Sequence, residues 1–151
     1  MSKRRVLFLC TGNSARSQMA EALVNHFLGD AWEAHSAGTK PAPQVHPLAV
    51  QAMAELGLDI AARQPKHLDA FRGQEFDQVI TLCDSAAAQC PAWLGRGRQV
   101  HIGFSDPAAA TGSETERLAV FRQVRDAIRE QVLEYLRQVR AEPAEEPLLR
   151  L

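Results

Sequence analysis

Apolar and polar positions follow two periods along this chain, and the switches between them mark out strands and helices. Val6-Leu7-Phe8-Leu9 is an unbroken apolar run, the pattern of a strand covered on both faces, and predicts strand one over Arg5–Leu9. Trp32 to Ala37 alternates with a period of two and predicts strand two, with Gly38 turning out of it. Phe76–Leu82 and Arg98–Ile102 are read as strands three and four. Between them the spacing lengthens to three and four residues. Arg16–Leu28 predicts a helix ended by Gly29 as its cap, and Leu48–Leu56 one stopped by Gly57. Leu118, Phe121, Val124, Ile128, Val132, Tyr135 and Leu136 predict one long helix over Glu114–Arg140. Its arginines Arg117, Arg122, Arg125 and Arg129 are read as a solvated face.

Strands alternating with helices imply a parallel sheet in an α/β fold. Four such strands suit the flavodoxin-like three-layer α/β/α arrangement with order 2-1-3-4. Its ligand crevice lies at the carboxyl ends of strands one and three. Residues 1–140 are read as a single domain. Ala141–Leu151, with two prolines and three glutamates, is read as a loosely ordered tail.

Composition narrows the partners. The chain has 151 residues, 46% hydrophobic and 23% charged, with a net charge of −1. That balance gives no electrostatic case for nucleic acid or an anionic membrane. No apolar run is long enough to span a bilayer, and the basic start Met1–Arg5 is not followed by a signal-like segment. A cytoplasmic monomer is expected. Three cysteines in a reducing compartment point to chemistry more than to scaffolding.

The chemistry gathers where strand one meets the first helix, in Cys10-Thr11-Gly12-Asn13-Ser14-Ala15-Arg16-Ser17. Backbone N–H groups of such a loop form an anion cradle, and the helix N-terminus adds positive potential. The same field favours a thiolate on Cys10. Arg16 offers a planar fork of donors to a tetrahedral oxyanion. Ser17 is placed to hydrogen-bond the Cys10 sulfur. Gly12 is expected to take a backbone conformation costly for other residues, and Asn13 to brace the loop. Topology brings Cys83, after strand three, and Asp106, after strand four, to the same crevice. Cys90 follows Cys83 by seven positions. As two turns of helix they would stand about 10 Å apart, so a disulfide needs the segment to unwind. A thiol relay accounts for this pair better than two structural cysteines do.

This Cys-x5-Arg-Ser loop resembles that of the low-molecular-weight protein tyrosine phosphatases and of the thioredoxin-coupled arsenate reductases that share their fold. Cys10, Cys83 and Cys90 match the three redox cysteines of the reductases. The likeness extends through Arg16-Ser17-Gln18-Met19-Ala20-Glu21, Ser36-Ala37-Gly38, Val79-Ile80-Thr81-Leu82-Cys83, Cys90-Pro91, Gly103-Phe104 and Asp106-Pro107. The phosphatases have Pro where this chain has Gln18. They also carry aromatic residues after the Asp-Pro pair, where this chain has Ala108-Ala109.

The resemblance implies arsenate as substrate, with phosphate or sulfate as competing oxyanions. The oxyanion site would be Thr11, Gly12, Asn13, Ser14, Ala15, Arg16 and Ser17. Cys10 would attack arsenic and Asp106 would protonate the leaving oxygen. Cys83 would then form a disulfide with Cys10, and Cys90 would resolve it for reduction by thioredoxin. No metal or organic cofactor is implied. A low-molecular-weight phosphatase, whose activity would otherwise be a weak side reaction, and a non-enzymatic arsenite or thiol sensor remain as alternatives.

Overall fold

The computed structural model describes residues 3–83 and 97–141, with the last two of these as backbone only. Cys90 therefore lies outside the described residues, as do most of the segment expected to unwind and the tail beyond Ala141. Four strands form one sheet: β1 (Arg4–Cys10), β2 (Trp32–Gly38), β3 (Gln78–Thr81) and β4 (Arg98–His101). Their order is β2-β1-β3-β4 and every pairing is parallel. The register sets Cys10 beside Gly38 on one side and Leu9 beside Thr81 on the other.

The alternation of side chains across the sheet explains the unbroken apolar run. Val6 and Phe8 face a core shared with helices α1 (Arg16–Phe27), α2 (Pro47–Ala54) and α3 (Glu114–Ala141). Leu7 and Leu9 face a second cluster with Ala37, Val79, Phe71 and Phe76. Among the described residues, that face is covered by the 3₁₀ turn Leu68–Phe71. β3 is shorter than its apolar pattern. Its ladder still runs on through Asp77 N–H to Arg5 O and Leu82 N–H to Leu9 O.

Helix ends show what sequence punctuation signals. Gly57 ends α2 as expected: its φ is +78° and its N–H reaches Ala54 O. Gly29 differs, because Leu28 is the cap of α1 and Gly29 is not left-handed. A Cβ at position 29 would lie 2.3 Å from Asn25 O, so close approach requires the glycine there. α3 starts with a capping box: Ser113 Oγ accepts from Glu116 N–H, and Glu116 accepts from Ser113 N–H.

The arginine face of α3 is not simply solvated. Arg125 is 8% exposed. It donates to Ala52 O and to Glu55, which also accepts from Arg122 through both carboxylate oxygens. These arginines clamp the end of α2 to α3. Hydrogen bonds from both hold the Glu55 carboxyl at a pKa of about 2.

Candidate active site

β1 delivers Cys10 to the carboxyl edge of the sheet, and α1 begins six residues later. The loop between them is built so that its carbonyls turn away from the sulfur. Lys40 N–H donates to Thr11 O, Ala42 N–H to Gly12 O and His46 N–H to Ser14 O. Gln18 Nε2 donates to Asn13 O. Every carbonyl from Thr11 to Ser14 is thus engaged from outside the loop. The N–H groups of Gly12 to Ser17 have no acceptor among the described residues. Ala15, the cap residue of α1, has no side chain able to accept from them. The loop and the helix start together leave a set of oriented donors for an anion.

Gly38 allows this packing. A Cβ there would stand 2.3 Å from Thr11 O and 2.9 Å from Cys10 O. Gly12 does not carry the unusual backbone expected of it: its φ lies outside the left-handed region, and a Cβ there would make only ordinary contacts. The left-handed position is Asn13, with φ 51°. Asparagine tolerates that region better than most residues, and its side chain is tied down here.

Asn13 is fully buried and its amide orientation is determined by its partners. Oδ1 accepts from Lys66 N–H at 2.8 Å and from Gln18 Nε2 at 3.1 Å. Nδ2 therefore faces Ser17 and donates to its Oγ at 2.8 Å. With that lone pair occupied, the Ser17 hydroxyl has its proton free for Cys10 Sγ, 2.8 Å away. Cys10 is 2% exposed and Ser17 fully buried.

Arg16 is 8% exposed and bridges the strand ends. Nη1 donates to Phe104 O at 3.1 Å, with Leu82 O at 3.5 Å, while Nη2 stands 3.9 Å from Asp106 Oδ2. The guanidinium is therefore held at the crevice before any anion arrives. Asp106 caps the 3₁₀ turn Pro107–Ala109 through Oδ1, which accepts from Ala108 N–H at 3.0 Å. Its other oxygen faces Arg16. Cys83 follows Leu82 at the end of β3, on the strand beside Cys10, and is 4% exposed. Cys10, Arg16, Asp106 and Cys83 therefore share the sheet edge that the strand order predicts.

Several contributors carry no chemical signature in the sequence. Lys40, Ala42 and His46 act through backbone N–H groups, and so does Lys66. His46 also caps α2, its Nδ1 accepting from Leu48 N–H. Burial, followed by the charge of Arg117, lowers its pKa against the opposing pull of Asp106. Glu21 does leave a trace: it is a charged residue inside the buried run of α1, and such a residue needs a partner. Its partners are Ser36 and Arg63.

Comparisons with known proteins agree with this geometry. The family model described as low molecular weight phosphotyrosine protein phosphatase matches residues 5–145. An arsenate reductase of Halalkalibacterium halodurans is 49% identical over 128 residues, covering 85% of this chain and 91% of that protein. A solved arsenate reductase in its oxidised state is 29% identical, with a TM-score of 0.74 over 90% of this chain and 98% of that one. A thioredoxin-dependent arsenate reductase of Corynebacterium glutamicum is also 29% identical, with a TM-score of 0.63 over 91% of this chain and 63% of that one. By sequence, fold and the loop around Cys10, this chain belongs to the low molecular weight phosphotyrosine protein phosphatase family, in the branch formed by its arsenate reductase relatives.

Proposed function

We propose that this chain reduces arsenate to arsenite in the cytoplasm through Cys10, Cys83 and Cys90, with thioredoxin as the external reductant. The observation that carries the reading is the pair of opposed sets around Cys10: loop carbonyls all engaged outward, and N–H groups from Gly12 to Ser17 left for an anion. Arsenate, like phosphate, is a tetrahedral oxyanion that such donors and Arg16 hold. Free phosphate and sulfate compete for the same donors.

The Cys10 thiolate attacks arsenic, forming a sulfur–arsenic bond as one oxygen leaves. Asp106 supplies the proton that lets this oxygen leave as water. Oδ1 is occupied as a cap, so Oδ2, the oxygen toward Arg16, is the one that serves the leaving oxygen. The Cys83 thiolate then attacks Cys10 Sγ. The electron pair of the sulfur–arsenic bond passes to arsenic, which falls from the pentavalent to the trivalent state and leaves as arsenite. A Cys10–Cys83 disulfide remains. Cys90 attacks Cys83, releases the Cys10 thiolate and leaves Cys83–Cys90 for the thioredoxin dithiol. The two electrons given to arsenic are restored in that last exchange, and no bound metal or organic cofactor takes part.

The thioredoxin dependence of the Corynebacterium glutamicum relative supports this choice of reductant. Ala108 and Ala109, exposed on the turn after Asp106, offer nothing for an aromatic ring to stack on, which disfavours a phosphotyrosine substrate. The test is NADPH consumption with thioredoxin, thioredoxin reductase and arsenate, set beside release of nitrophenol from its phosphate ester. Arsenate-dependent consumption well above ester hydrolysis is expected. Efficient ester hydrolysis without arsenate reduction would identify a phosphatase, and tight arsenite binding with neither activity a sensor.

A further inference from the structure

We propose that the half-buried Glu21–Arg63 ion pair is a positioning device for the nucleophile, acting on Cys10 from outside the oxyanion loop. The inference rests on the reading of Cys10 as the nucleophile. It concerns two residues that touch neither the sulfur nor the anion donors.

Asn13, Ser17 and Glu21 recur every four residues, so once α1 begins they follow one face of the helix. The segment from Arg63 to His67 lies along that face and is held at several points. The Arg63 guanidinium pairs with Glu21, whose other carboxylate oxygen accepts from the fully buried Ser36 hydroxyl at 2.7 Å. Gln64 O accepts from Gln18 Nε2 at 3.4 Å. Lys66 O accepts from Gly38 N–H at 2.8 Å, and Lys66 N–H donates to Asn13 Oδ1 at 2.8 Å. The last contact reaches the chemistry. The Lys66 amide, with Gln18 Nε2, fixes which way the Asn13 amide points, Asn13 Nδ2 fills one Ser17 lone pair, and the Ser17 hydroxyl meets Cys10 Sγ at 2.8 Å.

Glu21 and Arg63 thus anchor one end of a short backbone segment whose Lys66 amide starts the hydrogen-bond chain through Asn13 and Ser17 to Cys10. The Glu21 side chain is 9% exposed and that of Arg63 32%. Such a pair is weak support for stability in itself, because desolvation of Glu21 and solvent screening at Arg63 offset much of the attraction. What it does is fix register. It locks the 63–67 segment against α1 so that one particular N–H meets Asn13. Lose the pair, and Lys66 N–H shifts relative to Asn13 Oδ1. The Asn13 amide is then held at Oδ1 by Gln18 Nε2 alone, and its hold on the Ser17 hydroxyl loosens.

The experiment uses the full chain with Cys83→Ser and Cys90→Ser, so that Cys10 is the only thiol. The second-order rate of Cys10 alkylation by iodoacetamide is measured, with and without phosphate, in Arg63→Met, Arg63→Lys and otherwise unaltered protein, alongside thermal melting. Arsenate kcat and KM follow in the three-cysteine protein. Arg63→Met is expected to alkylate about tenfold more slowly and to raise KM for arsenate. Arg63→Lys and added guanidinium at non-denaturing concentration should each recover part of the rate. If Arg63→Met does not fold, Glu21→Gln, which keeps the shape and the Ser36 bond, replaces it with the same expectation. A folded variant with a lower Tm but unchanged alkylation rate and KM overturns the proposal, since that is what a merely structural pair would do. Absence of arsenate turnover in the unaltered protein would instead refute the functional reading, and the alkylation rates would still decide this one.

Discussion

Replacing Asn13 by aspartate tests the direction of the hydrogen bonds around the sulfur with a change of almost no volume. One carboxylate oxygen still accepts from Lys66 N–H. The other takes the place of Nδ2, but it accepts where the amide donated. The Ser17 hydroxyl then donates to the new carboxylate in place of Cys10, and the sulfur loses its oriented donor. A hydrogen bond to a charged group contributes about 1.5–3 kcal/mol. Two contacts of 2.8 Å each link Nδ2 to Oγ and Oγ to Sγ. The new negative charge therefore stands no more than about 5.6 Å from the thiolate, a repulsion of about 3 kcal/mol at an effective dielectric near 20. Nearby Arg16 offsets part of it. Since each 1.36 kcal/mol is about a factor of ten, Asn13→Asp should lower both the alkylation rate of Cys10 and kcat/KM for arsenate by at least about a hundredfold. Ser17→Ala, which removes the donor without adding charge, should lose less. Equal rates in Asn13→Asp and the unaltered protein, with the fold intact by circular dichroism, would refute the assigned direction of donation.

Other consequences follow from single contacts. Asp106→Asn keeps the cap on Ala108 N–H but has no proton to give, so kcat for arsenate should fall about a hundredfold while phosphate protection of Cys10 is unchanged; loss of that protection would mean Asp106 acts in binding. Gly38→Ala drives a Cβ into the Thr11 and Cys10 carbonyls and should cost about 1–3 kcal/mol in denaturant unfolding, with weakened phosphate binding; a neutral result would contradict the tight packing of loop on sheet. The Glu55 carboxyl is lowered in the folded state to about 2 from an ordinary value of 4.5. Its clamp on Arg122 and Arg125 therefore contributes fully above about pH 4.5 and is lost as pH falls through about 2. The difference in Tm between the unaltered protein and Glu55→Gln should be constant at neutral pH and close over that window, and a gap that persists to pH 2 would count against the clamp.

The features legible in the sequence are those that side chains announce. An unbroken apolar run reports a strand covered on both faces, as Val6 to Leu9 is. The small-residue loop from Cys10 running into a helix start at Arg16 reports donors set for an anion. Cys10, Arg16, Cys83 and Asp106 arrive at one sheet edge because strand order alone brings them there. The remainder travels through backbone or through partners distant in the chain. The strap whose Lys40, Ala42 and His46 amides turn the loop carbonyls outward leaves no mark on residue type. The left-handed residue is Asn13 and not Gly12 because the Asn13 amide, held by Lys66 and Gln18, makes an uncommon backbone angle tolerable for a side chain. Arg122 and Arg125 look solvated on a helical wheel, since nothing in α3 reveals that Glu55, some seventy residues earlier, meets them.

The central claim is that Cys10 attacks arsenate and that Cys83 collects the resulting oxidation. Cys90→Ser isolates that step, because the relay then cannot pass beyond its first disulfide. Reduced Cys90→Ser protein is mixed with arsenate without thioredoxin, arsenite is counted, and the disulfides are mapped by mass spectrometry. Close to one arsenite per protein is expected, with a Cys10–Cys83 disulfide in the same proportion and no further turnover. Arsenite released while Cys10 and Cys83 both remain reduced, or no arsenite from folded protein with a reactive Cys10, would contradict it.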